Sequence, residues 1–302
     1  MSPKFKGVLF GVIAAVAYGT NPLFSLPLYA EGLTPDSVLF YRYGFGVLIL
    51  GIILLARGES LKIRKKEILP LLAFGVMFAL SSLTLYRSFL YMDAGIASTI
   101  LFVYPVLVAV IMAVFFREKA SWLTYGCIAL ALVGIALLYR GDGETALSTT
   151  GLLLVALSSL FYAVYIVAVD NSPVRTMPSG KMTFWVLLFG LLVFVFTTRF
   201  MTSLQPVPPT ISGWGNILGV ALVPTIISLL FINISIKNIG PTYAAIIGAL
   251  EPVTALLIGV FVFHERITVR IAVGALLILV AVTLVVSGKS LLGHFTKKKA
   301  TA

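Results

Sequence analysis

Glu251 is the side chain whose chemistry most needs an account. It stands in an apolar stretch, GPTYAAIIGALEPVTALLIGVFVFHER from Gly240 to Arg266, about ten residues from either end. A charged carboxylate at that depth in a bilayer costs roughly 2.5–3.5 kcal/mol, so intramembrane acids are read first as functional. Ala244, Gly248 and Glu251 follow at i, i+4 and i+7 on one helical face, which leaves room beside the carboxylate. Such a group can exchange protons, meet a substrate amine, or pair with a basic or hydroxyl group on a facing span. Arg42 lies about one and a half turns into the second apolar run. Its head can snorkel to the interface or grip a substrate carboxylate with two parallel hydrogen bonds. An Arg42–Glu251 gate pair is a third arrangement.

Aromatic and hydroxyl residues recur around these two charges. Tyr18 shares a face with Ala14, Asn21 and Ser25, and Ser158, Tyr162 and Tyr165 form a similar face later. Tyr41, Tyr86, Tyr104, Trp185 and Tyr243 add rings that can stack on a substrate and offer one polar tip. Tyr29, Tyr91 and Trp214, near the ends of runs, fit interfacial belts instead. Ser81, Ser82, Thr225, Ser228 and Asn233 bring further polar groups, though Ser and Thr commonly bond back to their own helix. Pro224, Pro105, Pro252 and the pair Asn21-Pro22 each free a backbone carbonyl within an apolar run. The candidate substrate-binding set is Tyr18, Asn21, Arg42, Tyr41, Ser81, Tyr104, Tyr162, Trp185, Thr225, Ser228, Tyr243 and Glu251.

Other chemistries fit poorly. His264 and His294 are the two histidines and both fall outside the apolar runs, so neither an intramembrane Ser–His pair nor an HExxH zinc site is expected. There is no glycine-rich phosphate loop, and the single Cys127 permits no internal disulfide. No cofactor, no metal and no enzymatic activity are expected. Glu118 and Glu265 suggest paired acids, but an inverted arrangement puts them on opposite membrane faces. Ser121 and Thr268 read as N-caps, with each Glu near the positive end of the following helix.

The elements that must hold these residues are membrane spans. The 302-residue chain is 60% hydrophobic and 11% charged with a mean hydropathy of +1.08, too little polar surface for a soluble fold. The fold class expected is all-α integral membrane. Apolar runs near 7–29, 37–56, 68–90, 95–116, 121–140, 151–170, 181–199, 213–236, 241–263 and 269–287 give ten transmembrane helices. The net charge of +11 comes from Lys and Arg that fall mostly in segments on the N-terminal side of the membrane. That bias puts both termini in the cytoplasm and argues against nucleic acid as a partner. The first run is too long for a cleavable signal peptide.

The chain also repeats itself. Asp93–Lys119 maps onto Gly240–Arg266 at an offset of 147, pairing Pro105 with Pro252 and Tyr104 with Glu251. The stretch from Gly7 maps onto that from Gly151 at an offset of 144. Two units of five spans, 1–145 and 146–290, followed by a basic cytoplasmic tail at 291–302, must enter the membrane in opposite senses. Inverted repeats of this kind place substrate near the midplane between the halves.

With Glu251-Pro252, Phe263-His264-Glu265-Arg266, the run Val273 to Ile278 and the Arg42-Tyr43-Gly44-Phe45 segment, the chain resembles EamA-type drug/metabolite transporters over nearly its whole length. The resemblance implies alternating-access export of small organic metabolites, amino acids or related compounds, across a bacterial inner membrane. The aromatic set favours aromatic or amphipathic amino acids. Sugars, nucleotide-linked or vitamin-like metabolites are the alternative cargo, and a structural or sensory membrane protein the alternative outside transport. Expected partners are a small-molecule substrate and the lipid bilayer; protons as coupling ion and a homodimer stay open.

Overall fold

The computed structural model describes residues 2–115, 122–139, 148–170, 172–174, 176–248, 250–265, 268–281 and 283–284. Among these the chain is helical. The elements are α1 (Pro3–Gly19), α2 (Asn21–Ala30), α3 (Pro35–Ala56), α4 (Lys65–Ser88), α5 (Ala94–Leu101), α6 (Tyr104–Phe115), α7 (Trp122–Tyr139), α8 (Thr149–Asp170), α9 (Ser179–Thr197), α10 (Ile211–Ala221), a π-helical segment (Leu222–Ile227), α11 (Ser228–Ile247), α12 (Leu250–Phe263) and α13 (Val269–Ala281). Taking α1–α2 as one span, six described stretches are long and apolar enough to cross a membrane, with shorter apolar helices besides. Large side chains such as Ile52, Leu69, Phe115 and Phe261 are exposed on the outside, as lipid-facing surface requires.

Proline decides where the apolar runs break. Pro22, Pro105, Pro224 and Pro252 lack the N–H that would bond the carbonyl four residues back, and each freed carbonyl is satisfied by another group. Asn21 Nδ2 donates to Tyr18 O at 2.7 Å, where α1 gives way to α2. Ser159 Oγ, from α8, donates to Leu101 O at 3.2 Å, at the α5–α6 break. Thr225 Oγ1 donates to Val220 O at 2.9 Å in the π-helical segment, and Glu251 N–H to Gly248 O at 2.9 Å at the α11–α12 break. The two copies of the 147-residue repeat therefore break at matching places, before Tyr104 and before Glu251.

Sequence reading had separated the eighth and ninth spans near 237–240. That boundary is corrected: α11 runs on through Gly240-Pro241 to Ile247. The break falls just ahead of Pro252, because a proline is tolerated in a helix's first turn, where its missing N–H has no partner to lose. The runs at 7–29 and 95–116 are likewise two helices each. At the ends of α2 and α3, Gly32 (φ 92°) and Gly58 (φ 70°) take the left-handed conformation that lets Leu33 and Glu59 bond back to Leu28 and Leu54.

Packing brings the two halves of the chain together. α1 lies along α11, α4 along α8 and α9, α3 along α9 and α10, α5 on α12, and α6 on α8. One close approach is glycine on glycine. A Cβ built on Gly75 would sit 2.8 Å from Gly190 N and 2.9 Å from Val186 O. Tyr43 fills the space alongside, fully buried, its hydroxyl 2.8 Å from Ser82 Oγ and its ring 4.7 Å from that of Phe194. Gly75→Ala meets backbone that cannot yield, so it should destabilise the protein by about 1–3 kcal/mol. Gly44→Ala, with open space around it, should be neutral or mildly stabilising; melting of both in detergent, followed by circular dichroism, checks the pair.

Candidate functional site

Three of the features just described converge on Arg42. The α1–α2 break turns Asn21 inward, the π-helical segment presents Thr225, and α4 brings Tyr86. Arg42 on α3 is 1% exposed, and Arg42 Nε donates to Thr225 Oγ1 at 2.7 Å. Arg42 Nη1 donates to Asn21 Oδ1 at 3.0 Å and to Tyr86 Oη at 2.8 Å. Tyr86 Oη in turn donates to Asn21 Oδ1 at 2.8 Å, and the Tyr86 ring centre lies 5.3 Å from the guanidinium carbon. Thr225 Oγ1 accepts from Arg42 while its own proton goes to Val220 O. The fork is therefore held by neutral oxygens from three elements. Arg42 Nη2 is buried with no hydrogen-bond partner among the described residues.

The snorkelling reading of Arg42 is corrected: its head is turned into the protein and sealed there. The Arg42–Glu251 ion pair is not formed either; the ion pair among the described residues joins Arg87 and Asp36 at 2.8 Å. The physical reason is the set of neutral oxygens that the two proline-bearing breaks deliver to the guanidinium.

A small cleft opens beside this cluster, lined by Tyr18, Gly19, Asn21, Leu85, Ser98, Leu101 and Glu251. Its free interior holds about one water-sized body. Glu251, on the first turn of α12, borders it and is partly exposed. Gly19 allows the close approach behind it, since a Cβ there would lie 2.6 Å from Glu251 O. Tyr18 and Tyr104 stand within electrostatic reach of Glu251. Tyr104 meets Tyr162 edge-on at 4.6 Å, and Tyr162 stacks on Tyr165 at 6.1 Å, extending an aromatic wall along α6 and α8.

Of the candidate residues, Tyr18, Asn21 and Glu251 reach the cleft, Arg42 and Thr225 stand behind Asn21, and Tyr104 and Tyr162 form the aromatic wall. Ser228 is buried one turn beyond Thr225. Ser81 is engaged elsewhere, its hydroxyl 3.1 Å from Ser158 Oγ where α4 crosses α8. Tyr41 Oη donates to Gln205 O at 2.9 Å and Trp185 Nε1 to Leu61 O at 3.0 Å; each anchors a loop rather than joining the cluster. The side chain of Tyr243 lies outside the described residues, as do Glu118 and Ser121. Thr268 does cap the next helix, accepting from Ile271 N–H at 3.3 Å. Glu265 instead caps α5, accepting from Ala94 N–H at 3.2 Å.

Sequence reasoning missed Tyr86 as a site residue and Gly19, Leu85, Ser98 and Leu101 as lining. Tyr86 was named among the rings but left out of the candidate set, although a buried arginine in an apolar run requires polar partners on other runs. The small and apolar lining residues carry no such signal.

An all-helical chain with several membrane-length apolar helices and a buried polar cluster at their broken ends is a multi-pass membrane protein. The model of the EamA-like transporter family matches residues 5–140 and again 149–287; the chain belongs to that family. It is 25% identical over 264 residues to the uncharacterized transporter YxxF of Bacillus subtilis, covering 84% of this chain and 81% of the relative. It is 26% identical over 249 residues to a biotin transporter of Escherichia coli K12, covering 80% and 82%. One solved crystal structure aligns with a TM-score of 0.68 over 93% of this chain and 96% of the other, at 17% identity, a likeness of fold. These relatives are named as transporters, not enzymes.

Thr225→Val removes an acceptor from a buried charge and strands Val220 O as well. It should destabilise the protein by about 1–3 kcal/mol, while Thr225→Ser stays within about 1 kcal/mol; melting temperatures in one detergent decide it.

Proposed function

We propose that this protein is a secondary transporter exporting small organic metabolites that carry a carboxylate, amino acids foremost, by alternating access across a bacterial inner membrane. The carrying observation is the pairing of a buried guanidinium whose Nη2 lacks a partner among the described residues with a carboxylate on a nearby cleft wall. A zwitterion suits that pair: its carboxylate meets Arg42 and its ammonium meets Glu251, with Asn21 and Tyr86 yielding Arg42 and the wall of Tyr18, Tyr104 and Tyr162 receiving the side chain. Ser81, Tyr41, Trp185, Ser228 and Tyr243 stay as outer candidates in this reading. Glu251 doubles as the proton-exchanging group of an antiport.

The architecture proposed with it is ten spans in two inverted units, 1–145 and 146–290, a basic tail at 291–302 and both termini in the cytoplasm. The mirrored packing of α1 on α11 and α8 on α4, of α10 on α3 and α4 on α9, and of α12 on α1 and α6 on α8 supports it. The matching breaks before Tyr104 and Glu251 supply the hinges. A vitamin-like carboxylate is the second reading, favoured by the similarity to a biotin transporter.

Proteoliposomes loaded with unlabelled amino acids or biotin should take up the same labelled compound by saturable counterflow. Arg42→Gln should cut that exchange at least tenfold, and Glu251→Gln should remove its response to an imposed pH gradient. Undiminished exchange in Arg42→Gln would defeat the carboxylate assignment; an unchanged pH response in Glu251→Gln would defeat the antiport.

A further inference from the structure

At the far end of α12 from Glu251, the chain makes a second acidic arrangement that the transport reading does not use. His264 adopts φ 56°, a left-handed conformation that costs a non-glycine residue about 1 kcal/mol. The turn it makes sends Glu265 back along α12, with Glu265 N–H donating to Gly259 O at 2.9 Å. The carboxylate then lies between two glycines on different helices. A Cβ on Gly259 would come within 2.1 Å of Glu265 Oε2, and one on Gly95 within 3.1 Å. Glu265 Oε1 accepts from Ala94 N–H, at the positive end of α5. So a side chain from the second half of the chain is seated on a helix end of the first half, in a cradle that any larger residue at Gly259 would fill.

We infer that Glu265 is a proton-binding site that governs the seating of α12 on α5, with protonation favouring the seated, closed arrangement. α5 and α12 both line the cleft, through Ser98, Leu101 and Glu251, and pack on each other beyond it. Their contact is thus placed to act as a gate. In the proposed topology it lies on the outer face, and the inference rests on that reading for its sidedness alone.

The charged groups around Glu265 set the sign. α5 carries no titratable side chain, and α12 carries Glu251 alone, about two turns from Gly259, beside which the Glu265 carboxylate lies. His264, beside it in the chain, is exposed; Arg270 is on the following helix, and Asp93 immediately precedes α5. Burial first, and Asp93 second, push the Glu265 carboxyl up from 4.5 to about 7, against the pull of the Ala94 and Gly95 N–H groups. Burial raises Asp93 as well. When α12 leaves α5 the carboxylate returns to water and its proton affinity falls to the ordinary value. The closed form therefore holds the proton more tightly, so closing takes one up, and falling pH between about 7 and the ordinary carboxylate value favours closure. The proton enters and leaves on the same side, so it tunes the gate and is not itself carried across.

The test needs no substrate. In a Cys127→Ser chain in intact cells, Ser98→Cys reports cleft access to a membrane-impermeant maleimide, and Ser203→Cys, on an exposed loop, corrects for the reagent's own pH dependence and reports sidedness. Where the closed form dominates, corrected labelling at Ser98→Cys should fall by about fortyfold between pH 7 and pH 5. Glu265→Gln, neutral at every pH, should flatten the profile, and Asp93→Asn should move its midpoint to lower pH. A pH-independent wild-type profile, a response that survives Glu265→Gln, an unmoved midpoint in Asp93→Asn, or no outside labelling of Ser203→Cys would each overturn the inference. Failure of counterflow with this profile intact would instead count against the substrate assignment alone.

Discussion

A backbone carbonyl freed by proline inside a hydrocarbon layer has to find a donor within the protein, since no water is there to supply one. Four prolines at helix breaks impose that demand here, and the answers to it shape the interior. Asn21 answers for Tyr18, Thr225 for Val220, Glu251's own amide for Gly248, and Ser159 for Leu101 across a helix boundary. Two of the side chains recruited this way, Asn21 and Thr225, then hold Arg42 together with Tyr86. The guanidinium is not an added feature; it completes a hydrogen-bonding problem that the broken helices began.

This makes the polar cluster a structural joint and, in the proposed function, a site. A buried cation surrounded by neutral oxygens is stable only while all of them stay in place, which ties α2, α3, α4 and the π-helical segment together. The same arrangement leaves Nη2 without a partner among the described residues and stations a buried guanidinium beside a cleft bordered by an acid. π-helical insertions recur at functional sites for the reason seen here, in that they release a carbonyl and rotate the following side chain. The partner groups come from both halves of the chain, so movement of one half against the other must remodel them.

The repeat is not uniform, and its departures are informative. The fourth-span copies break alike, but position 104 is tyrosine where position 251 is glutamate, so one cleft receives a single acid and an aromatic wall instead of two acids. The first-span copy breaks at Asn21-Pro22, whereas α8 runs unbroken through the matching residues Tyr165 and Ile166. Likewise α4 is continuous where its counterpart carries the π-helical segment. Polar chemistry has gathered on one member of each pair, which is how a near-symmetric frame acquires a site with a definite orientation.

Much of this was legible in the residues. Composition required a bilayer, the apolar runs located the helices, and the repeat exposed the pairing of Pro105 with Pro252 and of Tyr104 with Glu251. Pro22, Pro105, Pro224 and Pro252 marked breaks because the missing N–H is a property of the residue alone, whereas α2 and α11 run on through Pro27 and Pro241. Arg42, Asn21, Thr225 and Glu251 stood out because polar groups in apolar runs need reasons. Their partners were not legible. Whether Arg42 snorkels or turns inward depends on how many oxygens other helices deliver to it, and helix rotation and crossing settle that. The same holds for Trp185 and Tyr41, whose ring chemistry suits a cavity but whose polar tips meet loop carbonyls in space. Glu265 was read as serving the next helix in sequence; it serves α5, 171 positions away, because the left-handed turn at His264 and the two facing glycines open that path. Sequence determined which groups demand satisfaction, since that follows from each residue's own atoms; only the tertiary structure decided which partner satisfies each, since that depends on distances between helices far apart in the chain.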